Sequence, residues 1–462
     1  MERKLGLILS GGGARAAYQV GVLRAIAELL PRHAHNPFHI ICGTSAGALN
    51  ATTLAVNATN FRKGVQYLSN IWKNFQVGDI YRSDPVGVLG NSARWLTGLL
   101  LSTMGINKLS RVSLLDNAPL VELLNKTLPC EKIQENIDAG LLYALSITAS
   151  GYGSGQSVTF YQGAEDIQPW QRARRHSIPT KIDAVHLLAS SAIPFIFPAV
   201  HINREYFGDG SMRQIAPISA ALHLGATRLL IIGLGHDGPE QSRHMQMGEY
   251  PSLAHIAGHA LNSIFLDSME VDMERIKRIN RIVSMMPEDT LKAVNLRHVD
   301  VLLIEPSQPI DGIAERYAAH LPWTIRLLLR GVGAMRRSGA NLVSYLLFEK
   351  EFCRALIELG YQDALKRKEE ILDLIGHMPE PDGHGRDDIT DDETRHARFP
   401  HPNPPDETTS HSTRLQTTAA KSLVTPESEK LLAGHPGEGA NESLRESHVK
   451  VQEPAAADNL SQ

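Results

Sequence analysis

Cysteine is scarce in this chain. Cys42, Cys130 and Cys353 are the only three in 462 residues, odd in number and without a shared spacing. This excludes a disulfide framework or a thiolate zinc site as the organising principle. Long apolar runs are also missing: stretches such as residues 95–101 and 193–200 fall far below the ~20 residues that span a bilayer. Arg3 and Lys4 precede only a short apolar stretch, too short for the h-region of a signal peptide. The expectation is a cytoplasmic protein whose membrane contact is peripheral. The net charge of −4 comes with no basic run of the kind that follows nucleic acid, and no nucleic-acid partner is expected. No internal repeat is present, and the residues do not fix an oligomeric state.

The last part of the chain lacks core-forming residues. Residues 379–462 hold one aromatic, Phe399, and 8 Lys and Arg against 16 Asp and Glu, a net of −8; residues 1–378 carry 38 against 34, a net of +4. Such a composition cannot bury enough apolar surface to offset the entropy of ordering, so a disordered acidic tail is expected there. The preceding 378 residues belong to a chain that is 42% hydrophobic, enough for one large domain with additions.

Against these absences stand three short motifs. Gly43-Thr44-Ser45-Ala46-Gly47 sits between a strand candidate, residues 38–42, and a helix candidate beginning at Ala48. That is the context of a nucleophile elbow, in which small residues two before and two after the serine leave room for a strained turn. Upstream, the apolar run at residues 4–9 leads directly into Ser10-Gly11-Gly12-Gly13-Ala14-Arg15. Tyr18, Val22, Ala25, Ile26 and Leu29 then recur at helical intervals until Pro31. Consecutive glycines at a strand-to-helix junction can aim backbone N–H groups at one point, either a phosphate or a developing oxyanion.

Gly11-x-Gly13-x-x-Ala16 also fits the dinucleotide fingerprint, but that motif wants an acidic residue at the end of the second strand. Here the second strand ends in Cys42-Gly43-Thr44-Ser45, and no Lys-Ser/Thr of a P-loop follows the glycines. The oxyanion reading is preferred, and no cofactor or metal is expected. The third motif, Gly208-Asp209-Gly210-Ser211, follows a short apolar segment; alone it is a turn, and with the other two it supplies a carboxylate able to act as base.

These motifs, in this order, resemble the patatin-like phospholipases, whose pattern is a Gly-rich oxyanion loop with a following Arg or Lys, then G-x-S-x-G, then D-G-[AG]. The segment Leu188 to Pro198 is similar to that family's approach to the Asp motif. The resemblance implies Ser45 as nucleophile, Asp209 as base, Gly11, Gly12, Gly13 and Arg15 as the oxyanion loop and its support, Gly43 and Gly47 as elbow glycines, and Gly210 as part of the third motif. Ala16 and Ser211 depart from the family's usual Gly and Ala/Gly, and both are small enough to keep the backbone path. The implied activity is hydrolysis of phospholipids or related lipid acyl esters through an acyl-enzyme. The alternatives are a soluble carboxylesterase or thioesterase, or a non-catalytic lipid-binding protein.

A Ser-His-Asp triad competes with the dyad, because His176, His186, His201 and His236 all follow Ser45. A single strand ahead of the elbow strand favours the dyad topology. Elsewhere strand candidates at residues 142–149, 158–162, 228–232 and 301–305 alternate with helix candidates at 218–224, 252–280 and 323–375. This predicts an α/β fold: a mostly parallel central sheet flanked by helices in three layers, with a helical C-terminal region. The expected division is a catalytic domain at 5–225, a mainly helical region packed on it at 226–378, and the tail at 379–462. Residues 60–126, with Phe61, Trp72, Phe75, Tyr81 and Trp95, are helical; by resemblance they form an acyl pocket or lid, and by plain packing they are core aromatics. The arginines among the leucines at 326–330, with Arg336 and Arg337, could meet anionic headgroups or could simply be solvated.

Overall fold

The computed structural model describes residues 4–376 apart from 237–251, 336–338, position 295 and most of 86–112. Trp95, Arg336, Arg337 and the segment 379–462 lie outside the described residues. Among the described residues ten strands form one sheet: β1 Leu5–Leu9, β2 Ile40–Thr44, β3 Ala144–Gly151, β4 Ser157–Gly163, β5 Gln171–Arg172, β6 Arg175–Pro179, β7 Val200–Ile202, β8 Glu205–Asp209, β9 Arg228–Ile232 and β10 Asp300–Ile304. Their order is β10-β9-β1-β2-β3-β4-β6-β5, with β7 on β8 and β8 on β3. The run from β10 to β3 is parallel throughout.

Both faces of that run are covered, as its unbroken apolar sequence requires. Successive residues of β1 point to opposite faces: Leu5, Leu7 and Leu9 join one core, while Ile8 joins the other with Ile40, Leu229 and Ile231. On the first face lie α1 Ala17–Leu29, α2 Ala46–Val56, α3 Phe61–Asn74, α4 Ala118–Thr127, α5 Glu131–Asp138 and α6 Ala184–Ser190. On the second, Met269, Met273 and Ile276 of a later helix cover Ile8 and Leu229. The result is a three-layer α/β/α fold.

The predicted helix at 252–280 is three pieces in one rod: α7 Leu253–Asn262, a five-residue π-helical turn Ser263–Asp267, and α8 Ser268–Val283. Beyond it come α9 Trp323–Gly331, α10 Ala340–Leu346, α11 Lys350–Lys366 and α12 Lys368–Ile375. Among the described residues no helix is long and apolar enough to cross a membrane.

Sheet topology places the two key ends together. The edge of β3 away from β4 carries two strands in succession: Thr44 of β2 pairs with Thr148, and the next residue, Ala149, pairs with Asp209 of the antiparallel β8. β2 running up that edge and β8 running down it meet head to head. The residue after Thr44 is Ser45.

Candidate active site

Ser45 caps α2 at φ 53 and ψ −129, a left-handed backbone that a residue with a Cβ rarely adopts. The turn is possible because the helix lies directly on the end of β1. A Cβ on Gly47 would stand 2.3 Å from the Leu9 carbonyl oxygen, and one on Gly43 would stand 2.6 Å from Ala48 Cα. The elbow is held from below: the Ser45 N–H donates to Ser190 Oγ at 2.8 Å, and Ser190 donates to the Thr148 carbonyl at 2.6 Å. Ser190 is fully buried.

Asp209 is also fully buried, at the end of β8, where Gly210 starts a 3-10 turn so close to β3 that a Cβ would fall 2.0 Å from the Thr148 oxygen. Its Oδ1 accepts the Ser211 N–H at 2.9 Å. Burial pushes its pKa up to about 6, against the pull of the Ser45 hydroxyl and of the Ser211 N–H and hydroxyl, which favour the ionised form. Among the described residues no donor is aligned on Oδ2. The carboxyl next to Ser45 therefore keeps a free acceptor position and a proton affinity above that of an ordinary Asp.

The glycine loop lies beside Ser45, and Gly13 and Ser45 line the same cavity. Gly13 has φ 56, and a Cβ there would stand 2.3 Å from the Tyr345 carbonyl oxygen of α10. Gly11 is backed by Ser211 Oγ and the Phe265 ring, and Gly12 by Leu234. Phe265 belongs to the π-helical turn, which thus lies against the loop. Arg15 is turned into the fold: its Nε donates to Ser344 Oγ at 2.7 Å, its other nitrogen donates to Asn341 Oδ1, and its guanidinium lies 4.1 Å over the Tyr345 ring. It ties the loop to α10.

Sequence reasoning passed over a buried polar chain behind the loop. Gln19 Nε2 donates to the Ser10 carbonyl at 2.8 Å, Asn50 Nδ2 donates to Gln19 Oε1 at 2.9 Å and to the Ala16 carbonyl at 3.2 Å, and Trp72 Nε1 donates to Asn50 Oδ1 at 2.8 Å. A trans peptide holds its C=O and N–H in opposite directions. Fixing the Ser10 carbonyl inward therefore fixes the direction of the Gly11 N–H. The only sequence signal for this chain was a polar residue at 19 and at 50, each between apolar neighbours.

The cavity has a volume of about 50 Å³. From the Ser45 end it is walled by Leu49, Leu68, Trp72, Phe75, Leu120 and Leu124, with Phe348 from the C-terminal region. Thus part of the 60–126 segment forms the wall. Phe61 instead packs edge-on against Phe38 in the core, and Tyr81 donates its hydroxyl to the Leu346 carbonyl. The four histidines are engaged elsewhere: His176 with Gln156, His186 with Asp183 and Phe160, His201 with Tyr206, and His236 with the Pro306 carbonyl.

Comparison with known proteins finds relatives for part of the chain. Residues 7–222 match the family model of the patatin-like phospholipases. The chain is similar to a cGAMP-activated phospholipase of Pseudomonas aeruginosa, 28% identical over 217 residues, which cover 47% of this chain and 55% of that protein. The chain thus spans about half the length of that relative. It is also similar to lysophospholipase nte1 of Aspergillus terreus, 48% identical over 56 residues, covering 12% of this chain and 3% of that one. Among solved structures, VipD from Legionella pneumophila matches with a TM-score of 0.32 and 15% identity, over 81% of this chain and 67% of that one, a likeness too distant to build on. The segment that carries Ser45, Asp209 and the glycine loop, residues 7–222, is thus the part of the chain that matches the patatin-like phospholipases, a little under half of it.

Proposed function

We propose that this protein is a serine lipid acyl hydrolase that cleaves phospholipids or related long-chain acyl esters with a Ser45–Asp209 dyad. The observation that carries it is the meeting of three things at one point: a serine in a strained elbow, a buried carboxyl with a free acceptor oxygen, and the end of an apolar cavity. In this mechanism Asp209 Oδ2 takes the Ser45 proton as Oγ attacks the ester carbonyl. The amides of the Gly11–Gly13 loop stabilise the tetrahedral oxyanion, and the alcohol leaves with the proton. Water, activated by the same carboxylate, then releases the fatty acid. The acyl chain occupies the cavity beside Ser45, whose leucine and aromatic walls favour a long hydrocarbon over the small acyl group of a soluble ester.

A fluorophosphonate probe tests the nucleophile, and fatty acid release from phosphatidylcholine vesicles tests the substrate class. Labelling should be confined to Ser45 and vanish in Ser45→Ala together with release. A protein that labels but releases acid only from short soluble esters would support the carboxylesterase reading instead. One that neither labels nor turns over would be a lipid-binding protein.

A further inference from the structure

Residues 191–197 form part of the wall of the cavity beside Ser45. Ser191, Ile193 and Phe197 line the cavity, while Phe195, between them, faces outward and is 81% exposed. It is the most exposed large hydrophobic side chain among the described residues. Its backbone has φ 65, a region that glycine enters freely and a side chain with a Cβ resists. The conformation is imposed by its neighbours: Leu114 N–H donates to the Phe195 carbonyl and Leu115 N–H to the Ile196 carbonyl, each at 2.9 Å, and Phe197 N–H donates to the Ile193 carbonyl at 2.9 Å. Strain of this kind persists where the surroundings over-determine it, and it concentrates at functional sites. The ring gains almost nothing from packing, so folding alone gives no reason for a phenylalanine where glycine would relax the turn.

We propose that Phe195 is the residue with which this protein enters a lipid surface, its ring inserting among acyl chains beside the cavity so that substrate reaches Ser45 without crossing water. The inference rests on the lipid acyl hydrolase reading above. A lipid surface fits better than a protein partner because the two apolar neighbours of Phe195 on the same loop wall a cavity suited to hydrocarbon. The loop is apolar on both sides, one toward the bound chain and one toward its source.

The test uses the full chain in three forms: wild type, Phe195→Gly and Phe195→Trp. Partition onto phosphatidylcholine vesicles is read by co-sedimentation in a Ser45→Ala background, acyl release is read on the same vesicles, and turnover is read on a water-soluble butyrate ester. Phe195→Gly should lower both partition and vesicle turnover about tenfold or more, the scale of one aromatic side chain lost from an apolar phase. Its soluble-ester turnover should stay within about twofold, and its Tm within about 2 °C, because an exposed ring supports no core. Phe195→Trp should partition like wild type. Unchanged vesicle partition in Phe195→Gly, or partition in Phe195→Trp as weak as in Phe195→Gly, would overturn the proposal. So would an equal loss on both substrates. If wild type released acid from no ester, the proposed function would fall, while sedimentation, which needs no turnover, would still decide the role of Phe195.

Discussion

At Asp209, two demands oppose each other in one carboxyl. The proposed mechanism needs it ionised next to Ser45, and burial favours the protonated form, which places the pKa at about 6. The folded pKa lies above the ordinary value, so between pH ~4 and ~6 the folded protein holds a proton that the unfolded chain has lost. Stability therefore falls as pH rises through that window, by roughly 2–3 kcal/mol for a shift of this size. Asp209→Asn removes the penalty. Its Tm, compared with wild type in paired unfolding scans, should gain at pH 8 and show little gain at pH 4, while acyl transfer falls by about 10³ or more. Wild-type kcat/KM should rise with pH through an acidic limb near pH 6. Ser211 adjusts that limb. It stands where the family pattern has Ala or Gly, and its hydroxyl helps hold the carboxylate ionised. Ser211→Ala should move the limb to higher pH, and a limb that stays put would remove the hydroxyl from the mechanism. The residues proposed to act on substrate stand out in the sequence because each is framed by glycines. Ser190, which holds the Ser45 N–H, carries no such mark; a serine inside a short helix reads as any other serine.

Between elements, the site depends on how β1, α1 and α2 are locked to one another. The elbow and the glycine loop were legible because strand, glycines and helix follow one another in the chain. The approach of β8 to β3 was not, since an antiparallel strand that takes over an edge where β2 ends leaves no local pattern. The π-helical turn was hidden for a similar reason: one extra residue per turn does not alter an apolar period enough to be seen over five residues. The Gln19–Asn50–Trp72 chain is the part of this level most open to test. Gln19→Leu keeps the volume and removes the donor that fixes the Ser10 carbonyl. It should lower kcat by about 10-fold to 100-fold with little change in KM, since misdirecting one oxyanion amide weakens the transition state more than substrate binding. Gln19→Glu, which can still reach but not donate when ionised, should resemble Leu at neutral pH. A proportional loss in kcat and in folded yield would instead mark Gln19 as a core residue only.

Taken whole, the described part of the chain keeps contributing to the candidate site beyond residue 225. β9 and β10 extend the sheet beyond β1, α10 receives Arg15, and Phe348 walls the cavity. α1 and α11 cross at two glycines: a Cβ on Gly21 would lie 2.0 Å from the Ile357 oxygen, and one on Gly360 would lie 2.1 Å from the Tyr18 oxygen. The sequence suggested a helical region packed on a catalytic domain; which of its helices touch the glycine loop could not be read, because contacts across more than 300 residues have no local signature. We infer that residues 226–376 are required for the first 225 to fold, whereas the composition of 379–462 makes that segment dispensable. Ending the chain at Gly225 would strip β1 of a parallel neighbour and uncover the face of α1 that meets α11, so aggregation or a molten product is expected. Ending it at Met378 should leave Tm and turnover of a soluble ester nearly unchanged, and at low salt should increase binding to anionic vesicles, because a net −8 no longer repels them. A cooperative, active protein from residues 1–225 would refute the first expectation, and a collapse in folded yield on truncation at Met378 would refute the second.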